Sequence, residues 1–154
     1  NSVHHPSVST KMHMAQAFGC SPIAAAWNNG QTHVVPVKPD TIAKSLAIGN
    51  PADGIYALKV IKESGGSATA TPEDTVAEGI ELLARTEGIF TETAGGVSIS
   101  VLKSLVESGA IKQNERTVVY ITGNGLKTQE VVQGAVNTLP IKPTMDSFES
   151  AYNG

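Results

Sequence analysis

The chain has 154 residues, 11 basic and 14 acidic side chains, a net charge of −3 and only 16% charged residues. That is enough chain for one domain with a proper core, and it excludes an electrostatically driven nucleic-acid binder, which needs a basic face. The single cysteine, Cys20, excludes an intramolecular disulfide framework or a paired-cysteine zinc site and fits a reducing, cytoplasmic setting, while no apolar run reaches the roughly 18 residues of a membrane span. The first residue is Asn1 rather than Met. Together with the low charge content, this reads as a piece of something longer, part of whose surface faces another domain.

Residues 1–10 show no apolar periodicity and read as a poorly ordered arm. His4-His5 in that arm lack the carboxylates a metal site would need. Residues 11–154 form the organised portion. Residues 12–17 read as a short strand. Ser21 before Pro22 is a cap followed by a first-turn proline, and Asn28-Asn29-Gly30 closes that helix. Residues 34–37 are extended, and Asp40 or Thr41 caps a short helix ending at Leu46. Asn50-Pro51 repeats the cap-and-proline signal, and Ile55, Leu58 and Ile61 then form an apolar stripe that stops at Gly65-Gly66.

Residues 67–71 are the next strand. Thr71-Pro72-Glu73-Asp74 is the clearest helix start, with Thr71 as cap and Asp74 as the acid of a capping box. Val76, Ile80 and Leu83 follow at helical spacing. Val97, Val101, Leu102, Leu105 and Val106 make another helix, stopped by Gly109. Residues 117–121, Thr-Val-Val-Tyr-Ile, read as a buried strand. Gly123-Asn124-Gly125 turns the chain into a helix over 128–136, and residues 144–152 read as a last, edge strand.

Strands alternating with helices predict an α/β fold, a mainly parallel sheet with helices on both faces. Ligands of such sheets sit at the carboxyl ends of the strands, so the loops at 47–53, 91–96 and 122–127 matter most. Backbone N–H groups in the turn at 122–125 favour an anion or an electron-rich ring atom; the plain alternative is a tight turn with no ligand. Glu92 stands before a helix start, where an acid more often serves as a cap than as a cofactor contact. Cys20 sits beside a helix start but has no His or Asn arrangement around it, and reads as a buried structural thiol.

Four stretches, taken together, resemble the threonine synthase family. One runs from Val37 through Ala43-Lys44-Ser45-Leu46-Ala47-Ile48-Gly49-Asn50-Pro51 to Gly54. The second is Thr86-Glu87-Gly88-Ile89-Phe90-Thr91-Glu92-Thr93-Ala94-Gly95-Gly96-Val97. The third ends Ile121-Thr122-Gly123-Asn124-Gly125-Leu126-Lys127, and the fourth is Ala15-Gln16-Ala17-Phe18-Gly19-Cys20-Ser21-Pro22-Ile23. The resemblance runs over nearly the whole chain. It implies the C-terminal part of a fold-type II pyridoxal-phosphate enzyme, a lyase of threonine biosynthesis that converts O-phosphohomoserine and water to threonine and phosphate.

The resemblance also implies cofactor contacts. Thr122 matches the hydroxyl residue facing the pyridine nitrogen, and Gly123 lets the backbone approach the ring. Glu92 matches the acid near the ring substituents, and Ser45 matches a position on the ring face. The family's Schiff-base lysine and phosphate loop have no counterpart here: none of the nine lysines sits in a matching motif. The chain therefore reads as a fragment that is inactive alone and binds cofactor poorly, without catalytic or metal-ligating residues of its own. Its expected partners are the missing N-terminal half or a second copy, with neither nucleic acid nor membrane involved. Two alternatives stand beside this: a fragment of a threonine or serine dehydratase, against which Glu92-Thr93 in place of Glu-Pro weighs, and a non-catalytic binding module made from the same fold.

Overall fold

The computed structural model describes residues 10–136 and 139–152. Residues 1–9, and with them the arm and His4-His5, lie outside the described residues. Two strands, β1 (His13–Ala17) and β2 (Ser67–Thr71), and five helices, α1 (Pro22–Asn28), α2 (Gly54–Ser64), α3 (Thr75–Glu87), α4 (Thr93–Glu107) and α5 (Met145–Tyr152), are joined by loops. These loops hold 3-10 turns at Lys44–Leu46, Gly125–Lys127 and Gln129–Val132. β1 and β2 are parallel and in register from His13 opposite Ser67 to Ala17 opposite Thr71.

Side chains alternate across this sheet with the period of two that a strand imposes. Met14, Ala68 and Ala70 pack with Ile23, Ala24 and Ala26 of α1 and Leu58 and Ile61 of α2. Ala15 and Ala17 point the other way, toward Val97, Val101 and Leu105 of α4. The α/β fold with helices on both faces of a parallel sheet is therefore present. The small strand residues let the helices close on it.

Helix α3 lies on α4, and the two cross where each helix carries a glycine. A Cβ at Gly79 would run into the Gly96 carbonyl, and one at Gly96 into the Val76 carbonyl and the Ile80 side chain. Val76, Ile80 and Leu83 of α3 are buried, as their spacing predicts. In α2 the buried stripe keeps Leu58 and Ile61 but not Ile55, which is 60% exposed.

The helix starts are built differently from their sequence signals. Ser21 has the cap position of α1, but its hydroxyl donates to the Phe18 carbonyl. Gln16 does the capping instead: its Oε1 accepts the N–H groups of Ile23 and Ala24 at 3.0 and 2.9 Å, two donors that a helix end leaves unpaired. Asp74 makes no side-chain cap on α3, and Thr71 pairs instead with the Thr75 hydroxyl at 2.8 Å. Helix α2 begins at Gly54, three residues after Pro51, and the helix expected up to Leu46 is only the 3-10 turn Lys44–Leu46.

Three expectations beyond α4 are overturned. Residues 117–121 form no strand, and Val118 and Tyr120 are 75% and 78% exposed; no strand among the described residues is paired with them. Of the helix expected over 128–136 only the turn Gln129–Val132 forms, since paired β-branched residues and Gly134 at φ +93° leave too little to propagate a helix. Residues 144–152 hold a helix, not an edge strand. Met145, Phe148 and Tyr152 recur at helical spacing, Phe148 stacks on Tyr152 with centroids 5.4 Å apart, and the Thr144 hydroxyl accepts the Ser147 N–H as a cap. Among the described residues no helix is long and apolar enough to cross a membrane.

Candidate functional site

The candidate site lies where α4 begins. Helix α4 runs antiparallel to the sheet: Val97 near its start meets Ala17 at the carboxyl end of β1, whereas Leu105 belongs to the cluster at Ala15 and Ile111. Its N-terminus therefore stands on the side of the sheet where α/β folds place their ligands.

Glu92 precedes the helix in extended backbone, with φ −72° and ψ 177°. Its carbonyl, not its side chain, closes the first turn, accepting the Gly95 and Gly96 N–H groups at 3.0 and 3.1 Å. The carboxylate makes no cap bond, so the capping role open to such an acid is not the one it plays.

The 90–93 and 122–128 segments are laced together. The Gly125 N–H donates to the Phe90 carbonyl at 3.1 Å. The Thr91 hydroxyl reaches the carbonyls of Thr122 and Gly123, each at 3.4 Å. The Thr93 N–H donates to the Thr128 hydroxyl at 3.2 Å. Gly123 has φ +77°, a conformation that glycine takes without strain, and a Cβ there would land on the Glu92 carboxylate. The turn thus lies directly on the Glu92 side chain, which is only 8% exposed. Lys127 Nζ is 3.8 Å from Glu92 Oε1, a loose ion pair for a buried carboxylate.

The expected residues are therefore distributed unevenly. Glu92 and Gly123 are in contact, and Thr122 joins them through its backbone, its side chain exposed beside the turn. Ser45 is exposed on the 3-10 turn that packs against α4, and no hydrogen bond joins it to Glu92, Thr122 or Gly123 among the described residues. Sequence reasoning passed over Lys127 and the threonines at 91, 93 and 128, which do the lacing. Thr91, Thr93 and Lys127 lie inside the two matched stretches, which was the available signal, and Thr128 lies one residue beyond.

The set fits the edge of a hydrogen-bonding aromatic ring. Thr93 is fully buried, and its hydroxyl has no hydrogen-bond partner among the described residues, an arrangement that costs about 1–3 kcal/mol when nothing answers it. Beside it in sequence stands a buried carboxylate under an open glycine turn. Among the described residues no three metal-ligating side chains come together. Cys20 is buried, and burial, reinforced by the nearby Glu73 charge and opposed by the Ile48 backbone, pushes its thiol up. It remains a neutral thiol rather than a nucleophile.

Comparison with known proteins shows the family and the fold. The chain is 42% identical over 137 residues to the threonine synthase of Methanocaldococcus jannaschii, covering 88% of this chain and 34% of that protein. It is 37% identical over 146 residues to the threonine synthase of Methanosarcina acetivorans, covering 94% and 36%. It thus spans about a third of the length of these curated relatives. Among solved structures, a fungal L-serine ammonia-lyase from Rhizomucor miehei superposes with TM-score 0.55 at 15% identity, covering 80% of this chain and 41% of that one. Maize serine racemase does so with TM-score 0.50 at 12%, covering 64% and 29%. At such identities these two share the fold alone. The family described as pyridoxal-phosphate dependent enzyme matches residues 3–123, and the chain belongs to that family.

Proposed function

We propose that this chain is the C-terminal part of a threonine synthase and supplies the ring-edge side of its pyridoxal-phosphate site. The observation that carries the reading is the contact between Glu92 and Gly123. It joins, in space, two stretches that resemble threonine synthase and lie 31 residues apart (123 − 92). Identity of 42% and 37% to two threonine synthases supports the substrate class, O-phosphohomoserine and water. The dehydratase alternative has only likeness of fold behind it.

In the complete enzyme, Thr122 faces the pyridine nitrogen. A neutral hydroxyl gives or takes a hydrogen bond there without forcing the nitrogen to stay protonated, as a carboxylate would. Gly123 lets the backbone approach the ring edge. Glu92, shielded from water by that turn, accepts a hydrogen bond from a ring substituent, and Lys127 balances its charge. Ser45 faces the ring from the 3-10 turn. The bound cofactor supplies an electron sink for carbanion chemistry; the cofactor-bearing lysine and the phosphate cradle come from the portion of the enzyme outside this chain.

The partner is accordingly that N-terminal portion, and without it the chain self-associates. Val118 and Tyr120, with Leu126, Leu139 and Met145 further along the sequence, are all more than 60% exposed, and exposed apolar surface of this extent is normally covered by a partner.

The test is a chimera in which this chain replaces the matched third of the Methanocaldococcus jannaschii enzyme. The chimera should form threonine from O-phosphohomoserine, Thr122→Val should lower the rate several-fold, as expected of a lost neutral contact, and Glu92→Gln at least tenfold, as expected of a lost charge-assisted one. A chimera that folds and binds pyridoxal phosphate but acts on serine or threonine instead would overturn the substrate class.

A further inference from the structure

We infer that Glu73 is a positioning residue, whose carboxylate clamps the segment carrying Ser45 to the turn that ends β1. The inference rests on the reading of Ser45 as a ring-facing residue and concerns how that residue is held.

Because β1 and β2 are parallel, the turns that follow them leave the same end of the sheet. The Phe18 N–H, just past β1, still donates to the Thr71 carbonyl at 2.8 Å. Glu73 lies in the turn after β2, and its two oxygens are shared between two other segments. Oε1 accepts the Gly19 N–H at 2.8 Å. Oε2 accepts both the Thr41 hydroxyl and the Ile42 N–H at 2.9 Å. The helix that follows, α3, takes no side-chain cap, so this carboxylate is committed sideways rather than to its own helix.

The segment it holds is tied further along. The Thr41 hydroxyl accepts the Ala43 N–H at 3.1 Å, the Asp40 N–H donates to the Gly19 carbonyl at 2.8 Å, and a Cβ at Gly19 would overlap the Asp40 carbonyl. Ala43 and Leu46 then pack into the cluster of Ala17, Val76 and Val97. Ser45 is thus fixed by a carboxylate from the neighbouring strand end on one side and by the core against α4 on the other. One carboxylate accepting three hydrogen bonds through its two oxygens satisfies donors from two segments at once.

The amide substitution undoes this. In Glu73→Gln one of the two oxygens becomes an NH2 group. If it faces Gly19, two donors meet and the Gly19 N–H loses its acceptor. If it faces Thr41, the hydroxyl can turn and accept, but the Ile42 N–H loses its acceptor. In either orientation one backbone donor is released.

Amide hydrogen exchange on the full 154-residue chain reads this directly. In Glu73→Gln, Gly19 or Ile42 should exchange roughly tenfold faster or more, the loss expected for a bond to a charged acceptor. Gly95 and Gly96, bonded to the Glu92 carbonyl, should not change. Glu73→Asp, one methylene short of spanning both segments, should release the same amides. Unchanged exchange at both Gly19 and Ile42 overturns the clamp. The positioning role is read in the chimera by cofactor affinity: Glu73→Gln and Ser45→Ala should each weaken pyridoxal-phosphate binding several-fold, and their combination should cost little more than either alone, the mark of coupled residues. A loss of stability in Glu73→Gln with unaltered cofactor affinity makes Glu73 a merely structural residue and overturns the role. A Ser45→Ala chimera with unaltered affinity contradicts the reading of Ser45 instead, and the exchange data still decide the clamp.

Discussion

Residues 67–71 and 117–121 both read as five-residue strands in the sequence, and only one is a strand. β2, Ser-Ala-Thr-Ala-Thr, is paired with β1 along its whole length. Residues 117–121, Thr-Val-Val-Tyr-Ile, contain the stronger β-formers, yet Val118 and Tyr120 stand 75% and 78% exposed. What separates them is the neighbour. β2 has a strand edge on one side and helices α1, α2 and α4 against its faces; 117–121 has no strand beside it among the described residues. Strand formation follows the availability of a partner more than intrinsic preference.

The largest expected effect sharpens that contrast. Ile80, almost fully buried at the α3–α4 crossing, should cost about 3 kcal/mol on truncation in Ile80→Ala. Val118→Ala should stay within about 0.5 kcal/mol. Urea unfolding of both variants measures the difference, and equal losses would mean that 117–121 is packed in solution. Next, Val118→Lys with Tyr120→Lys should reduce self-association several-fold in light scattering across a concentration series, because charge on an open edge opposes pairing. A wild-type chain that stays monomeric at all concentrations breaks the comparison.

Cys20 tests the packed region from within. With its thiol buried and pushed up, alkylation at neutral pH should be about tenfold slower in the native chain than in denaturant. Equal rates would show that the β1–α1 turn is open.

The smallest effect lies at the boundary of the two regions, where Lys11 meets Glu115 at 3.1 Å. The Lys112 N–H first, and Lys11 second, hold the Glu115 carboxyl below its ordinary value. A depressed folded-state value stabilises the fold above the ordinary carboxylate range, and that contribution is lost as pH falls through the lowered value. Lys11→Met should move the Glu115 midpoint upward in an NMR titration. The pair is exposed, so stability should barely change.

The α/β class, both strands, and the buried faces of α3 and α4, apart from Val106, which is 49% exposed, were legible in the sequence, because each pattern meets its partner inside the chain: Val76 and Val97 share one cluster with Ala17. Beyond α4 the reading failed for a physical reason. The 117–121 pattern describes burial that this chain does not complete, and the period-3.6 spacing of Met145, Phe148 and Tyr152 was overlooked in favour of a strand. At the site, Glu92 and Gly123 could be named from the matched stretches. Glu73 could not, because it was read only as part of a helix start, although its place at the carboxyl end of β2 marked it as a loop residue of the site's side of the sheet. Gln16 capping α1 from within β1 is likewise a tertiary contact that no local motif encodes.

On the proposed reading, this chain holds the ring edge of a pyridoxal-phosphate site but not the means to retain the cofactor. The most direct measurement is an absorption titration with pyridoxal phosphate of the chain alone and of the chimera, each with Thr122 and with Thr122→Val. One ring-nitrogen hydrogen bond contributes about 1 kcal/mol net, far short of the roughly 4 kcal/mol or more lost on immobilising a free ligand. The chain alone should therefore show only weak, non-saturating changes that ignore Thr122→Val, and the chimera a saturable band that the substitution weakens. A tight, saturable band from the chain alone, weakened by Thr122→Val, would contradict this by showing a complete site within these residues.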